Sequence, residues 1–194
     1  MEEFNFPFDR FDDWLKEASE LELDANAMTL STVDRLGRPS SRIVLFKGFH
    51  KKEFVFYTNT QSNKGIQLGG NPFVSLCFHW KSLKRQVRIQ GEANQIDGRI
   101  ADEYFATRDR GSQLGAWASD QSRVLNSRTS LGESIELLTK KFLDSDIPRP
   151  DYWSGFRVKP ENFEFWQDMP YRLHLREFYE LTTDGNWTET LLFP

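Results

Sequence analysis

The sequence predicts a mainly β protein in which an antiparallel barrel is flanked by helices. The first observation is the order of segments: β-type runs occur in two groups with helical stretches between them, which disfavours a parallel doubly wound sheet. The second is that no Gly-x-Gly-x-x-Gly run follows a strand and no Walker loop occurs, so dinucleotide and nucleoside triphosphate folds lose support. The third is the length of 194 residues, which predicts a single domain with one sizeable core.

The first third of the chain is predicted to form a packing helix followed by three strands. Residues 7–23 repeat apolar side chains at helical spacing and keep their acids on the opposite side. Residues 26–33 and 39–46 are β-type runs around a turn at residues 34–37, which predicts a hairpin. Residues 53–58 then form the third strand.

A short helix and a second hairpin are expected next. Ser62 is a plausible cap for the helix, and the backbone N–H groups at the helix start are suited to bind an anion. Residues 73–80 and 83–96 are predicted to pair as a hairpin. Gln86 belongs to a polar set that faces one side of the second strand.

The rest of the chain is predicted to return to strands after three helices. The helices cover residues 98–108, 112–118 and 129–142. The strands cover residues 154–159, 162–167, 171–181 and 186–193. Pro148 and Pro150 separate the last helix from these strands.

The predicted strand at residues 171–181 carries an alternating set of cationic and apolar side chains. In an extended strand, Arg172, His174 and Arg176 project from one face, and the leucines between them project from the other. Two guanidiniums beside an imidazole suit an anionic, planar, aromatic ligand, because guanidinium binds oxyanions and stacks on rings. A solvated edge strand with ordinary positive charge is the alternative.

The charge distribution favours a small phosphorylated ligand over nucleic acid. The net charge is −4, and residues 1–30 hold nine acidic against two basic residues, which leaves 20 acidic and 23 basic residues in the remainder. This mild positive excess lacks the clustered basic runs and high pI of a nucleic-acid-binding surface.

The cysteine and histidine content and the lack of long apolar runs exclude several further classes of protein. Cys77 is the only cysteine, so an intrachain disulfide and a cysteine-rich metal site are excluded. The scattered histidines lack the spacing of metal ligands, so no metal site is predicted. No apolar run approaches the roughly 20 residues that cross a bilayer, and the acidic start at Met1 is unlike a signal peptide. The expected location is the cytoplasm, with no membrane contact.

Several short motifs occur in one order and spacing along most of the chain. They are Arg42-Ile-Val-Leu-Phe-Lys47, Phe56-Tyr-Thr-Asn59 with Asn63-Lys64, Arg85-Gln-Val-Arg88, Tyr104-Phe-Ala-Thr-Arg108, Gln121-Ser122, Trp166-Gln167 and Arg172-x-His-x-Arg176. Over residues 24–194 the chain thereby resembles the pyridoxine/pyridoxamine 5'-phosphate oxidases, which are FMN enzymes of the split-barrel class.

This resemblance implies a six-stranded antiparallel FMN-binding split barrel that works as a homodimer, with FMN between the subunits. Residues 1–194 would form one domain. Within it, residues 1–23 would be an N-terminal packing helix, and residues 154–194 would contain the strands that complete the site. A two-fold interface of this kind gives two equivalent sites.

The resemblance also implies the residues of the site. FMN would be contacted by Arg42, Ile43, Val44, Leu45, Phe46, Lys47, Tyr57, Thr58, Asn63, Lys64 and Gln86 and, in the partner subunit, by Gln121, Ser122, Trp166 and Arg176. The substrate would be bound by Lys47, Tyr104, Arg108, Ser112, Arg172 and His174. Arg172 and His174 would be the catalytic pair over the substrate ring.

The implied reaction is the oxidation of pyridoxamine 5'-phosphate and pyridoxine 5'-phosphate to pyridoxal 5'-phosphate. Hydride would pass from C4' of the substrate to N5 of the flavin, and dioxygen would reoxidise the flavin to give hydrogen peroxide. Arg172 would clamp the substrate ring against the flavin, and His174 would hydrogen-bond its 3-hydroxyl.

Three positions depart from the family pattern. Asn63 stands where Arg is frequent, Asp109 where Pro is usual, and Leu175 where Asp is usual. These departures keep open the alternative of a split-barrel protein that binds FMN or pyridoxal phosphate without useful turnover, as carrier or sensor. A further alternative is a related flavin oxidase of another aromatic substrate, such as those of phenazine pathways.

Overall fold

The computed structural model describes residues 6–194, so the first five residues of the predicted N-terminal segment lie outside the described part. The described chain contains the α-helices α1 Phe6–Leu21, α2 Asn63–Gly70, α3 Gly98–Ala106, α4 Arg110–Ala118 and α5 Arg128–Lys141. Its strands are β1 Ala27–Val33, β2 Pro39–Leu45, β3 Phe49–His50, β4 Glu53–Asn59, β5 Phe73–Trp80, β6 Arg85–Gln95, β7 Trp153–Gln167, β8 Leu175–Leu181 and β9 Trp187–Leu191. A 3₁₀ turn at Pro170–Arg172 precedes β8. None of the helices between residues 6 and 194 has the length and apolar character needed to cross a membrane.

The strands form one antiparallel sheet that closes into a barrel. Six strands follow the order β2-β1-β5-β6-β7-β4. The two ends of this row meet, because Lys47 N, just after β2, donates to Val55 O in β4 at 2.8 Å, and Val55 N donates to Gly48 O at 3.1 Å. The short β3 pairs with β4, while β8 and β9 extend the sheet from β7. The predicted antiparallel split barrel with flanking helices is confirmed.

The strands predicted at residues 154–159 and 162–167 form one continuous strand, β7, with a bulge. Its pairing with β6 shifts between Gln90 and Gly91, which leaves one extra residue in β7. A Cβ on Gly91 would lie 2.0 Å from the carbonyl oxygen of Lys159, so a glycine permits this close approach. The interruption that the sequence suggested is therefore a local irregularity within a single strand.

The strand predicted at residues 171–181 is wrong in its first part. Strand β8 begins at Leu175, and the turn before it contains Tyr171 and Arg172 with positive φ angles of 60° and 63°. Left-handed backbone does not continue the two-residue alternation of a strand. Arg172 and His174 therefore lie outside the strand and not on one strand face as predicted.

The barrel core is mainly aromatic, and α1 packs against it. Phe11 is fully buried, and its ring lies 5.0 Å from Phe54 and 4.9 Å from Phe78. Phe8 and Trp14, one turn to each side, are also buried. Because each buried aromatic side chain contributes about 1.5–3 kcal/mol, tertiary packing holds this helix in place.

A smaller cluster fixes the remaining helices beside the barrel. Trp153, the first residue of β7, packs with Phe105 of α3, Leu114 of α4 and Phe142 after α5. This packing sets α3 and α4 opposite the end of β4. The space between them contains most of the polar residues discussed below.

Candidate active site

One cavity of about 690 Å³ lies between the barrel and the helices α3 and α4. Its wall includes the end of β2, the end of β4 and the start of α2. Of the residues predicted to bind FMN or substrate, the wall contains Ile43, Val44, Leu45, Lys47, Tyr57, Thr58, Lys64, Tyr104, Arg108, Ser112 and Gln121. The fold thus brings together side chains from segments that are distant in the sequence.

Lys64 is a buried cation with neutral hydrogen-bond partners. It lies in the first turn of α2 with 8% of its surface exposed. Its Nζ donates to Thr58 Oγ1 at 2.9 Å, to Ser62 Oγ at 3.0 Å and to Gln121 Oε1 at 3.1 Å. Burial and the charge of Arg42 lower the pKa of Lys64 to about 8. A buried charge that meets neutral acceptors costs free energy, and an anionic ligand would reduce that cost.

Arg42 adds a second positive charge near Lys64. Its guanidinium donates to Thr32 Oγ1 at 2.5 Å, to Leu30 O at 3.3 Å and to Gln67 Oε1 at 3.3 Å. Burial lowers the pKa of Arg42. None of these acceptors is a carboxylate. Arg42 does not line the cavity, but it is close enough to act on the charge of Lys64. Lys64 and the backbone N–H groups at the start of α2 suit a phosphate dianion.

Tyr104 in α3 and Arg108 just after it are held by parallel aromatic rings. Tyr104 stacks on Tyr57 with centroids 3.8 Å apart and an interplanar angle of 4°, and Tyr57 lies 5.3 Å from Trp153. The guanidinium of Arg108 lies over Trp153 at 4.8 Å, and burial lowers its pKa. Its Nη1 is buried without a hydrogen-bond partner in the described chain. A buried N–H group without an acceptor is costly, so an anion in this cavity fits Arg108.

Ser112 lies in the first turn of α4, and Asp109 caps that helix. The carboxylate of Asp109 accepts a hydrogen bond from the backbone N–H of Ser112 at 2.8 Å. Hydrogen bonds from Ser112 lower the pKa of Asp109, so a carboxylate charge is present in the cavity wall next to Arg108. Sequence reasoning missed the capping role, which an Asp directly before a helical segment could have indicated.

Gln86, Trp166 and Arg176 form a second group on three neighbouring strands. Gln86 pairs with Trp166, and Trp166 pairs with Arg176, so the three side chains share one face of the sheet. The adjacent residues Val87 and Phe165 are fully buried in the core. The second group therefore faces away from the barrel interior, and it does not line the cavity described above.

Arg176 is held by Glu164 and by the C-terminal segment. Its Nε donates to Glu164 Oε1 at 2.8 Å, and its Nη1 donates to the carbonyl oxygen of Phe193 at 2.8 Å. Glu164 is 4% exposed and also pairs with Arg88. Burial raises the pKa of Glu164, but hydrogen bonds from the two arginines outweigh this and lower it. Sequence reasoning missed Glu164, although a lone acid in an aromatic strand was an available signal.

His174 lies close to the second group, and neither His174 nor Arg172 lines the cavity. The ring of His174 lies 4.6 Å from that of Trp166, and its Nδ1 lies 3.1 Å from Asp168 Oδ1. Arg172 is exposed in the 3₁₀ turn. Within one chain, the predicted catalytic pair is therefore separate from the predicted phosphate-binding residues.

The remaining predicted FMN contacts occupy other places. The ring of Phe46 lies in the core, 5.3 Å from that of Phe54. Asn63 is exposed at the first position of α2, and Ser122 is exposed with a left-handed φ of 72°. Gln121, expected in the partner subunit, lies in the cavity of its own chain. Any contact that Phe46 makes with a ligand in the cavity would have to come from its backbone.

Two family models match the chain. The model described as "Pyridoxamine 5'-phosphate oxidase" matches residues 15–141, and the model described as "Pyridoxine 5'-phosphate oxidase C-terminal dimerisation region" matches residues 153–194. The chain belongs to the pyridoxamine 5'-phosphate oxidase family. The family resemblance predicted from the sequence motifs is confirmed.

Curated members of the pyridoxamine 5'-phosphate oxidase family are similar over nearly the whole chain. A protein of Rhizobium meliloti (strain 1021) is 50% identical over 190 residues, which cover 97% of this chain and 92% of the relative. A protein of Agrobacterium fabrum is 47% identical over 194 residues, which cover 99% and 94%. Both are named pyridoxine/pyridoxamine 5'-phosphate oxidase.

Solved structures support the fold. PhzG from Burkholderia lata 383, in complex with tetrahydrophenazine-1-carboxylic acid, superposes with a TM-score of 0.90 at 29% identity and covers 97% of this chain and 92% of its own. A pyridoxamine 5'-phosphate oxidase-related, FMN-binding protein from Nostoc punctiforme superposes with a TM-score of 0.79 at 16% identity, covering 97% and 98%. At this low identity, the similarity to the Nostoc punctiforme protein supports only the fold.

Proposed function

We propose that the protein uses FMN to oxidise pyridoxamine 5'-phosphate and pyridoxine 5'-phosphate to pyridoxal 5'-phosphate. Family membership and the names of near full-length relatives support this function. The observation that carries it here is one cavity whose wall holds two cationic groups, the buried Lys64 and the half-buried Arg108, neither of which hydrogen-bonds to a carboxylate in the described chain. Cofactor and substrate each carry a phosphate, and two such groups match two phosphates.

The Lys64 end of the cavity is assigned to the FMN phosphate. Lys64 and Arg42 would supply charge, Thr58 and Gln121 would complete the polar shell, and the start of α2 would add backbone N–H groups. The neutral surroundings of both cations fit a dianion, because its charge would offset their desolvation. When bound, FMN supplies the ring that accepts electrons from the substrate, and dioxygen takes them from it in turn.

The Arg108 end is assigned to the substrate phosphate. The unpartnered Nη1 of Arg108 offers a buried donor, and Ser112 and Tyr104 add hydroxyl groups to the same wall. Lys47 lies in that wall as well and adds a further cation. The ring of Tyr57 stacks on that of Tyr104 and fixes its orientation. The side chains at this end of the cavity are therefore in position before a ligand binds.

We assign the second group to the site of the partner subunit. An extended strand rises about 3.3 Å per residue, so the run of β7 from Trp153 at the cavity wall to Trp166 spans roughly 40 Å. One chain cannot bring both ends of β7 to a single FMN. The match to a dimerisation region over residues 153–194 supports a homodimer, and a two-fold axis would give two equivalent shared sites with FMN between the subunits.

In this arrangement Arg172 and His174 reach the substrate bound in the cavity of the partner subunit. Arg172 is exposed and can cover the face of the substrate ring. His174 can hydrogen-bond the ring oxygen. Neither residue needs to form a covalent bond with the substrate, because their task would be to orient its ring. The cytoplasmic location stays a prediction from the sequence.

The activity is tested directly by its product. The purified protein should be yellow and should form pyridoxal 5'-phosphate and hydrogen peroxide from each of the two substrates in the presence of oxygen. A yellow protein without product would favour a binding role. The likeness to PhzG makes tetrahydrophenazine-1-carboxylic acid the matched comparison substrate, and its faster turnover would refute the proposed substrate class.

The shared site is tested by mixing variants that are impaired at limiting concentrations of FMN and substrate. Co-expressed Lys64→Met and Arg172→Met chains form mixed dimers in which one of the two sites is intact, so activity should recover to about a quarter of wild type. The control pair, Lys64→Met with Arg108→Met, damages the same cavity on both chains and should show no recovery. Recovery in neither mixture would refute a site built from both subunits.

A further inference from the structure

His174 has two polar neighbours at the same ring nitrogen. Its Nδ1 lies 3.1 Å from Asp168 Oδ1, and the backbone N–H of Met169 donates to that Nδ1 at 3.3 Å. Both contacts come from the segment between β7 and the 3₁₀ turn. They leave Nε2 on the opposite side of the ring.

These two contacts hold the imidazole at one ring nitrogen. With the ring proton on Nε2, the lone pair of Nδ1 can accept from Met169 N–H. With a proton on Nδ1, in the neutral or the protonated ring, Nδ1–H can donate to the carboxylate of Asp168. In each of these forms Nε2 is directed away from Asp168 and Met169.

The surroundings hold this arrangement in place. The imidazole packs on Trp166 with centroids 4.6 Å apart. The backbone N–H of Asp168 donates to Lys84 O at 3.0 Å, and Lys84 Nζ lies 3.8 Å from Asp168 Oδ2. The charged groups around the ring are thus Asp168 in contact and Lys84 behind it, while Arg172 is exposed two residues earlier. The side chains of His174 and Asp168 are 18% and 37% exposed.

We infer that Asp168 is a positioning residue that, together with the backbone of Met169, fixes the ring of His174 with Nε2 directed outward. Under the proposed function, on which this consequence rests, Nε2 is the atom of His174 that meets the ring oxygen of the substrate. A substrate analogue whose ring oxygen is replaced by hydrogen would lose this bond and leave Nε2 unpaired.

The first test reads the imidazole directly in the purified flavin-containing protein without substrate. The chain has three histidines, so ¹⁵N resonances can be assigned by comparison with His174→Gln. At low pH a hydrogen-bonded Nδ1–H signal of His174 should be present in the wild type and lost in Asp168→Ala. A His174 Nδ1–H signal that is the same in both proteins would overturn the inference.

The second test separates positioning from a purely structural role. Asp168→Ala should lower kcat/KM about tenfold through misorientation of the imidazole, and Asp168→Asn, which keeps an acceptor oxygen, should recover part of it. The same Asp168→Ala change in a His174→Gln background should have no further effect. Lys84→Met is the matched control and should retain wild-type kcat/KM.

The kinetic outcomes are unambiguous. An unchanged kcat/KM in Asp168→Ala would overturn the positioning role, and so would equal losses with and without His174, because these would indicate structural damage. A wild-type protein without oxidase activity would refute the proposed function instead. In that case the ¹⁵N spectrum alone would decide the orientation of His174.

Discussion

The environment of Lys64 predicts that FMN affinity falls as pH rises. In the ligand-free protein, burial and the charge of Arg42 lower the pKa of Lys64 from 10.5 to about 8. A phosphate dianion beside the amine favours its charged form and raises that pKa again. Above pH 8 the binding of FMN must then take up a proton, and affinity decreases with increasing pH.

The size of the effect follows from the two pKa values. With a pKa of about 8 before binding and a lysine that stays charged in the complex, the Kd for FMN is nearly constant from pH 6.5 to 7 and rises about thirtyfold by pH 9.5. Lys64→Met removes the titrating group and a charge-assisted hydrogen bond worth about 2 kcal/mol. Its Kd should be higher than that of the wild type at pH 7 and nearly independent of pH.

The stability of the ligand-free protein should change in the opposite direction. Because the pKa of Lys64 is lower in the folded than in the unfolded chain, the unfolded chain binds more protons between about pH 8 and 10.5, and stability rises with pH through this window. From pH 8 to 9.5 the free energy of unfolding should increase by about 1.5 kcal/mol relative to Lys64→Met.

Flavin fluorescence titrations from pH 6.5 to 9.5 measure the affinity, and urea unfolding of ligand-free protein measures the stability. Lys16→Met, a change on the exposed face of α1, is the control for loss of a lysine elsewhere. Lys64→Arg keeps the charge but does not titrate in this range, so its affinity should not fall. Parallel pH profiles for wild type and Lys64→Met would refute the role of Lys64.

Further predictions concern the cavity wall and α2. Arg108→Met should raise the KM for pyridoxine 5'-phosphate about thirtyfold by removing a charge-assisted bond, with an unchanged FMN Kd in the same titration. Asp109→Asn retains a good helix cap but removes a negative charge, so steady-state kinetics should show a KM about threefold lower at an unchanged melting temperature. Gly65→Ala places a Cβ 2.2 Å from Thr60 O and should lower the free energy of unfolding by about 2 kcal/mol. Gly69→Ala in the same helix meets open space and should raise it by about 0.5 kcal/mol in urea unfolding.

Local sequence signals predicted much of the fold, whereas features that depend on contacts between distant segments were missed. Ser62 was predicted to cap α2 because capping depends on neighbouring residues, and its side chain does accept from Gly65 N. The bulge in β7 depends on contact with Gly91 of another strand, which periodicity within β7 does not reveal. The left-handed turn at Tyr171 was missed because alternating residues suggest a strand whatever their φ angles.

The order of the motifs predicted which residues belong to the site, whereas the contacts that bring these residues together could be seen only in the structure. Residue types suggested that Lys64 and Arg108 bind phosphates, but only the fold places both in one cavity wall. Trp153 was missed, because its position beneath Arg108 follows from packing between β7 and α3. Glu164 was missed because a buried carboxylate is recognisable by its arginine partners on other strands.

The turn before β8 links backbone strain to the proposed catalytic pair. A non-glycine residue in left-handed backbone costs about 1–2 kcal/mol, and Tyr171 is 94% exposed, so packing does not offset the cost. Strained backbone of this kind occurs mainly at functional sites, where it positions the side chains that bind or react. Here it ends the sheet before Leu175 and directs Arg172 and His174 away from the regular strand face.

Relieving this strain should separate stability from activity. Tyr171→Gly adopts the same φ without steric cost, so the free energy of unfolding should stay unchanged or rise by up to about 1 kcal/mol. The more flexible turn should lower kcat/KM about tenfold, because Arg172 and His174 are then positioned less often. Leu173→Gly, at an exposed position with a negative φ of −84°, gains no such relief and should only lower stability. If Tyr171→Gly instead lost stability and kept full kcat/KM, the strained turn would have no part in holding the pair.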